Sequence, residues 1–313
     1  MDGVLVIDKP AGVTSHDVVD EVRRILHVRR VGHTGTLDPF ATGVLVVMVG
    51  RATRLAQFLT GLEKEYEAVI RLGYSTDTGD RTGKRLGELT TIGEQSPEKW
   101  TGAEIEDALQ SLRGEIDQVP PMYSAKKQAG RKLYELARRG EEVERKPVRI
   151  NIYEFELIPN ARSGARMVKD NQEGTFDFEV RVVCSTGTYI RTLAEDFGKR
   201  LGVGAHLAEL RRTRVGDFPL QKATTLEKLK VHVAEESLGQ VLLRLNEALG
   251  RLPAVDLNDG EVRRVQNGMP FKYAEPPWSD GEHVRLRDPH GTLVAIADFS
   301  GADSSLHPRV VIS

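Results

Sequence analysis

The sequence predicts an α+β fold, a mixed or antiparallel sheet flanked by helices and followed by a smaller β-rich tail. Three observations carry that prediction. Apolar residues alternate with polar ones over Tyr66, Ala68, Ile70 and Leu72, and again over Phe176, Phe178, Val180 and Val182, the period of strands with one face buried. Helical spacing of apolar residues recurs elsewhere, in two places behind a capping-box signature. After Leu252 and Pro253 the chain changes to short β-prone runs broken by turns.

The elements follow in order. Thr14-x-x-Asp17 caps a first helix with Val18, Val19, Val22, Ile25 and Leu26 on one side. Residues 44–49 form an unbroken apolar run, as in a strand buried on both faces. Leu55, Phe58, Leu59 and Leu62 place a second helix. Thr101-x-x-Glu104 opens a third, with Ile105, Ala108, Leu109 and Leu112 inward and Gly114 ending it. Residues 118–146 read as an excursion in which Pro120 and Pro121 precede a short basic helix built on Leu133, Leu136 and Ala137 and stopped by Gly140. Residues 160–174 are polar and aperiodic and read as a loop. Ile190, Leu193, Ala194, Phe197 and Leu201 mark a fourth helix closed by Gly202. In the tail, residues 284–286, 294–296 and 310–312 are strands, with turns at Asn267-Gly268 and at 289–291. The expected division is a main domain over 1–250 and a small one over 251–313.

A chain of 313 residues with 39% hydrophobic content is long enough for a large domain and a small one. No run approaches the roughly 18 apolar residues of a membrane helix, and the N-terminus has no secretory pattern, so a soluble cytoplasmic protein without a membrane partner is expected. With 1 cysteine, Cys184, there is no internal disulfide or cysteine metal cluster, and the 8 histidines lack ligand spacing. No metal or organic cofactor is expected. A net charge of −2 does not announce a nucleic-acid binder, so such a role must rest on local asymmetry. From Pro121 to Gly140, Lys126, Lys127, Arg131, Lys132, Arg138 and Arg139 stand against Glu135 alone; from Lys199 to Arg214, Lys199, Arg200, Arg211, Arg212 and Arg214 stand against Glu209. Most short charge runs are solvated helix faces; only the motifs elsewhere in this chain turn the reading of both runs toward phosphate contacts.

The most informative stretch is Gly32-His33-Thr34-Gly35-Thr36-Leu37-Asp38-Pro39-Phe40-Ala41-Thr42-Gly43. Its glycines permit positive φ or close backbone approach, and Pro39 pushes Asp38 toward an extended conformation. One carboxylate is thus aimed from a constrained loop that opens into a core strand. It is a candidate nucleophile or base.

This loop resembles the catalytic loop of the TruB family of pseudouridine synthases. Five further stretches are similar in the family's order: Gly3-Val4-Leu5-Val6-Ile7-Asp8-Lys9-Pro10, the opening strand and Lys-Pro motif; Lys64-Glu65-Tyr66; Pro120-Pro121-Met122-Tyr123-Ser124-Ala125; Cys184-Ser185-Thr186-Gly187-Thr188-Tyr189-Ile190-Arg191; and Gly204-Ala205-His206-Leu207 through Leu210-Arg211-Arg212. The resemblance implies a pseudouridine synthase fold with an arm inserted at about 118–146 that closes over RNA, and a C-terminal PUA-like RNA-binding domain. It implies isomerisation of uridine to pseudouridine at position 55, in the T-loop of tRNA, by a monomer that needs no guide RNA, since the guide-dependent branch lacks the arm.

The resemblance also implies the site. Asp38 maps onto the catalytic aspartate, Arg191 onto the arginine that pairs with it, and Tyr66 onto the tyrosine that stacks on the target base, although its phase also suits a core position. His33 maps onto the histidine that inserts into the RNA loop, while Tyr189 and Leu210 fall at base-pocket positions. Lys9 and Pro10 support the loop. Lys126, Lys127, Arg131 and Lys132 are the arm's candidate RNA contacts. Two other functions fit parts of the sequence: a tRNA-binding folding factor whose main role does not need catalysis, and a carboxylate-pair glycoside hydrolase using Asp77 or Asp80, which are better read as a polar turn.

Overall fold

A computed structural model describes residues 1–87, 100–124, 126–128, 131–133, 136, 139, 141, 143–158, 168–171, 175–273 and 276–312. Its centre is a mixed sheet of 11 strands among those residues. The main path runs from Leu242–Leu243 through Gly3–Lys9, Thr42–Val49, Ala205–Val215, Lys64–Leu72, Thr175–Cys184 and Val148–Leu157 to Gly114–Gln118. Neighbours on it are antiparallel except Thr42–Val49 and Ala205–Val215, which pair in parallel only at Thr42↔Arg211 and Gly43↔Arg212. The loop over 34–41 leads directly into this short parallel pairing.

The alternating strands bury the faces their sequence marks. In Lys64–Leu72, Tyr66, Ala68, Ile70 and Leu72 are buried, while Thr42–Val49 is buried along nearly its whole length. Inward residues of the central strands pack against helices Gly102–Gln110 and Ile190–Arg200. Across the sheet, helices Ser15–Leu26 and Leu226–Ala234 cover Leu5, Ile7, Leu45 and Val47. Both expected capping boxes form, Thr14 with Asp17 and Thr101 with Glu104. The second helix begins as a 3-10 turn over Gly50–Leu55 before Ala56–Thr60.

Two stretches differ from expectation. The excursion opens with a hairpin, Lys127–Gln128 against Arg131–Lys132, before the helical residues Leu133 and Leu136; Ala137 and Gly140 lie outside the described residues. Within 160–174, Val168–Asn171 is a strand paired with Thr175–Cys184, so the polar stretch contains a sheet edge. An edge strand pairs on one side only and need not show apolar alternation.

The tail is a separate sheet of 5 strands in the order Ala254–Asp256, His283–Arg287, Leu293–Ser300, Ser305–Val311, Phe271–Lys272. It also carries a helix, Asp259–Gln266, opened by an Asn258–Glu261 capping box that the expected elements did not include. Leu293, Ile296 and Ile312 pack with Val4, Val46 and Phe58 of the main sheet. The two sheets therefore share apolar core.

Candidate active site

The loop bearing Asp38 is fastened at several points. Ser15 Oγ accepts from Leu37 N at 2.8 Å, Gly12 N donates to Pro39 O at 2.8 Å, and Thr34 N donates to Val46 O at 3.1 Å. The fully buried Lys9 Nζ donates to Val13 O at 2.7 Å, Pro10 O at 2.9 Å and Pro39 O at 3.2 Å. Burial lowers this ammonium to about 8. The Lys-Pro motif thus braces the loop from behind. Of the three framing glycines only Gly43 has positive φ, +101°, and a Cβ there would lie 2.2 Å from Arg212 O. This is the position where the parallel strands touch.

Arg191 stands on the first turn of helix Ile190–Arg200, and Gln118 fixes that end: its side chain accepts from Tyr189 N at 2.7 Å and donates to Tyr189 O at 3.0 Å. The buried guanidinium meets Asp38 with two nitrogens, Nε to Oδ2 at 2.9 Å and Nη2 to Oδ1 at 3.2 Å. Its other contacts run to Thr78 O at 2.9 Å and Tyr123 O at 2.7 Å, and Nη1 faces Asp80 Oδ2 at 3.7 Å. One side chain therefore joins the Asp38 loop, the 76–80 turn and the base of the arm. Asp80 is buried and accepts from Thr78 Oγ1 at 2.9 Å, Thr82 N at 2.9 Å and Thr82 Oγ1 at 2.6 Å. The polar turn expected from sequence is thus part of the site. Burial pushes the Asp38 carboxyl up; Arg191 pulls it back and Asp80 adds to the push.

Asp38 opens into a cavity of about 220 Å³, below the roughly 300 to 1,000 Å³ of pockets that take drug-sized molecules. Tyr66, Leu210, Tyr189, Arg191, Lys64 and Arg212 are among its walls. Tyr66 packs with Ala68, Ile70 and Leu37, as its core phase predicts, and also lines the cavity. Its hydroxyl is pushed up by burial, with the Arg212 guanidinium opposing.

Comparison with known proteins decides what this assembly belongs to. Residues 23–190 match the model of the TruB family pseudouridylate synthase N-terminal domain, and residues 191–250 that of the tRNA pseudouridylate synthase B C-terminal domain. The chain belongs to the TruB family. Proteins named tRNA pseudouridine synthase B are 42% identical in Solibacter usitatus over 100% of both chains, 44% in Thermobifida fusca over 100% of this chain and 99% of that one, and 45% in Geobacillus thermodenitrificans over 86% and 85%. Among solved structures, an H/ACA RNP bound to a substrate RNA containing 2'-deoxyuridine matches with a TM-score of 0.69 and 25% identity over 99% of this chain and 85% of that one. A Cbf5-Nop10-Gar1 complex gives 0.70 and 27% over 99% and 85%.

The TruB-like motifs read from sequence therefore converge in space for Asp38, Tyr66, Tyr189, Arg191 and Leu210. His33 lies apart. It is half-buried, its Nδ1 accepts from Gly35 N at 3.3 Å, and it lines an open groove with Arg23, Arg29 and Arg30. Burial lowers its imidazole, with Arg212 adding to the effect. Lys126 and Arg131 are exposed on the arm, and Lys127 and Lys132 face each other in its hairpin register. The second basic run is not the open cationic face expected. Arg212 is 1% exposed, Arg211 pairs with Asp8 at 2.8 Å, Arg214 with Glu63 at 2.6 Å and Lys199 with Asp196 at 2.9 Å. Strand alternation could have flagged Arg212, which is in phase with Leu210, as buried.

Proposed function

We propose that this chain isomerises uridine to pseudouridine at position 55 in the T-loop of tRNA, with Asp38 as the catalytic carboxylate. The observation that carries the reading is the two-point Asp38–Arg191 pair at the edge of a small cavity walled by Tyr66 and Leu210. The reaction breaks the bond from ribose C1′ to uracil N1, turns the base while it stays bound, and joins C1′ to C5. Arg191 favours the ionised carboxylate against burial and orients both oxygens, so charge is available where the sugar becomes electron-poor. Tyr66 is assigned to stack on the base. Tyr189 and Leu210 confine it.

A uridine inside a folded RNA loop must be extruded to reach this cavity, at a cost of a few kcal/mol. We assign His33 and its arginine-lined groove to bracing the RNA, and Lys126, Lys127, Arg131 and Lys132 to phosphates along the arm. Residues 251–313 are assigned as a PUA-like RNA-binding domain beside a catalytic domain over 1–250. The reading takes the enzyme to act as a cytoplasmic monomer, without guide RNA, metal or organic cofactor. Among the described residues no helix is long and apolar enough to cross a membrane.

The test is release of tritium from tRNA labelled at uridine C5, which must lose its hydrogen to bond C1′. Wild-type protein should release it from a T-loop substrate after dialysis against EDTA, and Asp38→Asn should bind tRNA with little change and release none. Release by Asp38→Asn within about tenfold of wild type would remove Asp38 from the chemistry. A biological effect on tRNA that survives Asp38→Asn would favour the folding-factor reading.

A further inference from the structure

The cavity beside Asp38 holds two cationic side chains that the chemistry above leaves unused. Lys64 begins strand Lys64–Leu72, two residues before Tyr66 on the same face, and is buried. Its Nζ donates to Leu62 O at 2.7 Å, which occupies one of the three donors of an ammonium. Arg212, cross-strand from Tyr66, is also buried; Nε donates to Val44 O at 2.7 Å and Nη2 to Gly35 O at 3.1 Å, the guanidinium acts on the Tyr66 hydroxyl, and buried Nη1 makes no hydrogen bond of ordinary geometry among the described residues. Both line the cavity, and the one carboxylate that lines it among the described residues, Asp38, is held by Arg191. Uncommitted donors on buried cations are expensive to keep. They suit an occupant that brings negative charge.

We propose that Lys64 and the free edge of Arg212 form an anion subsite for the uracil oxygens, holding the base while it is detached from the sugar. The inference rests on the pseudouridine reading and specifies it. When C1′–N1 breaks heterolytically, the electron pair leaves with N1 and the negative charge spreads over N1, O2 and O4. C1′ is left electron-poor beside Asp38. The base then returns an electron pair from C5 to C1′; C5 gives up its hydrogen as a proton to water and N1 takes up one in its place, so the product is an isomer of the substrate. A half-turn about the N3–C6 axis exchanges N1 with C5 and O2 with O4. Donors placed for the oxygens therefore serve the base both before and after it turns.

Single-turnover tritium release at saturating tRNA tests this, with affinity and melting temperature measured alongside. Lys64→Met should bind tRNA within about threefold of wild type but react about tenfold to a hundredfold more slowly, the range of a lost charged hydrogen bond. Lys64→Arg, which keeps a buried cation, should recover much of that loss. The pH profile is a second readout. Burial and Arg212 lower Lys64 to about 8, with Cys184 opposing, so the wild-type rate should fall as pH rises through this region. Tyr66 faces the same space with its hydroxyl pushed up, out of this window, and Lys9, also near 8, is present in every variant. The part of the decline due to Lys64 should vanish in Lys64→Met. If that variant does not fold, Lys64→Gln replaces it. A Lys64 variant that melts earlier yet reacts within threefold of wild type with an unchanged profile overturns the inference, as would Lys64→Arg and Lys64→Met being equally slow. Failure of wild type to release tritium would instead defeat the pseudouridine reading itself.

Discussion

Replacing Arg191 by lysine keeps the charge and removes the geometry. In the native site Nε and Nη2 engage the two Asp38 oxygens at 2.9 and 3.2 Å, while Nη1 and Nη2 hold Thr78 O and Tyr123 O at 2.9 and 2.7 Å. These acceptors come from separate segments, and one ammonium cannot meet them all. If it keeps one Asp38 oxygen and one carbonyl, two charge-assisted hydrogen bonds are lost, each about 1.5 to 3 kcal/mol before water replaces any. If only half of that total is expressed in the reacting complex, the bound rate falls about tenfold to a hundredfold, at about 1.36 kcal/mol per tenfold. Arg191→Met, which strands the Asp38 carboxylate, should be worse in both rate and stability. The assay is single-turnover tritium release with saturating tRNA, run beside thermal melts. An Arg191→Lys protein that melts early but reacts at nearly the wild-type rate in its folded fraction would refute the orienting role and leave Arg191 as a structural tie.

Three further outcomes are expected. Gly43→Ala should destabilise by several kcal/mol in chemical denaturation, because φ is +101° and its Cβ would meet Arg212 O at 2.2 Å, whereas Gly61→Ala, with φ −76° and open space, should be nearly silent. Gln at Lys126, Lys127, Arg131 and Lys132 should weaken tRNA binding and make log affinity against log salt shallower by roughly 0.7 to 0.9 for each phosphate no longer neutralised, with little effect on the bound rate; an unchanged slope would mean a solvated face. Cys184 is fully buried, and burial pushes its thiol up to about 11, so iodoacetamide should label it only on unfolding. Since its folded pKa lies above the unfolded value of about 8.5, the thiol's contribution to stability is full below that value and lost as pH climbs toward 11. A Cys184→Ala protein should show a smaller alkaline loss of stability.

The order of these elements in the chain determined most of the fold. Thr14 and Asp17, or Thr101 and Glu104, sit one helical turn apart, and a capping box is a local interaction that this short separation enforces. Alternation at Tyr66 to Leu72 likewise records burial residue by residue. Asp38, Arg191 and Tyr66 were legible because their motifs are local too. What sequence could not supply is which distant segments meet. Asp80 reads as one more polar residue in a turn until its carboxylate and Asp38 are found on opposite edges of the Arg191 guanidinium. Lys64 reads only as part of a motif and Arg212 as one of a basic run until antiparallel pairing of their strands brings both to the wall of one cavity. Gln118, with no motif around it, fixes the helix end that carries Arg191. Charge and hydrogen-bond partnership depend on distance through space, and here the partners stand 71 to 153 residues apart in the chain, brought together by sheet pairing and by the packing of helix Ile190–Arg200 on the sheet.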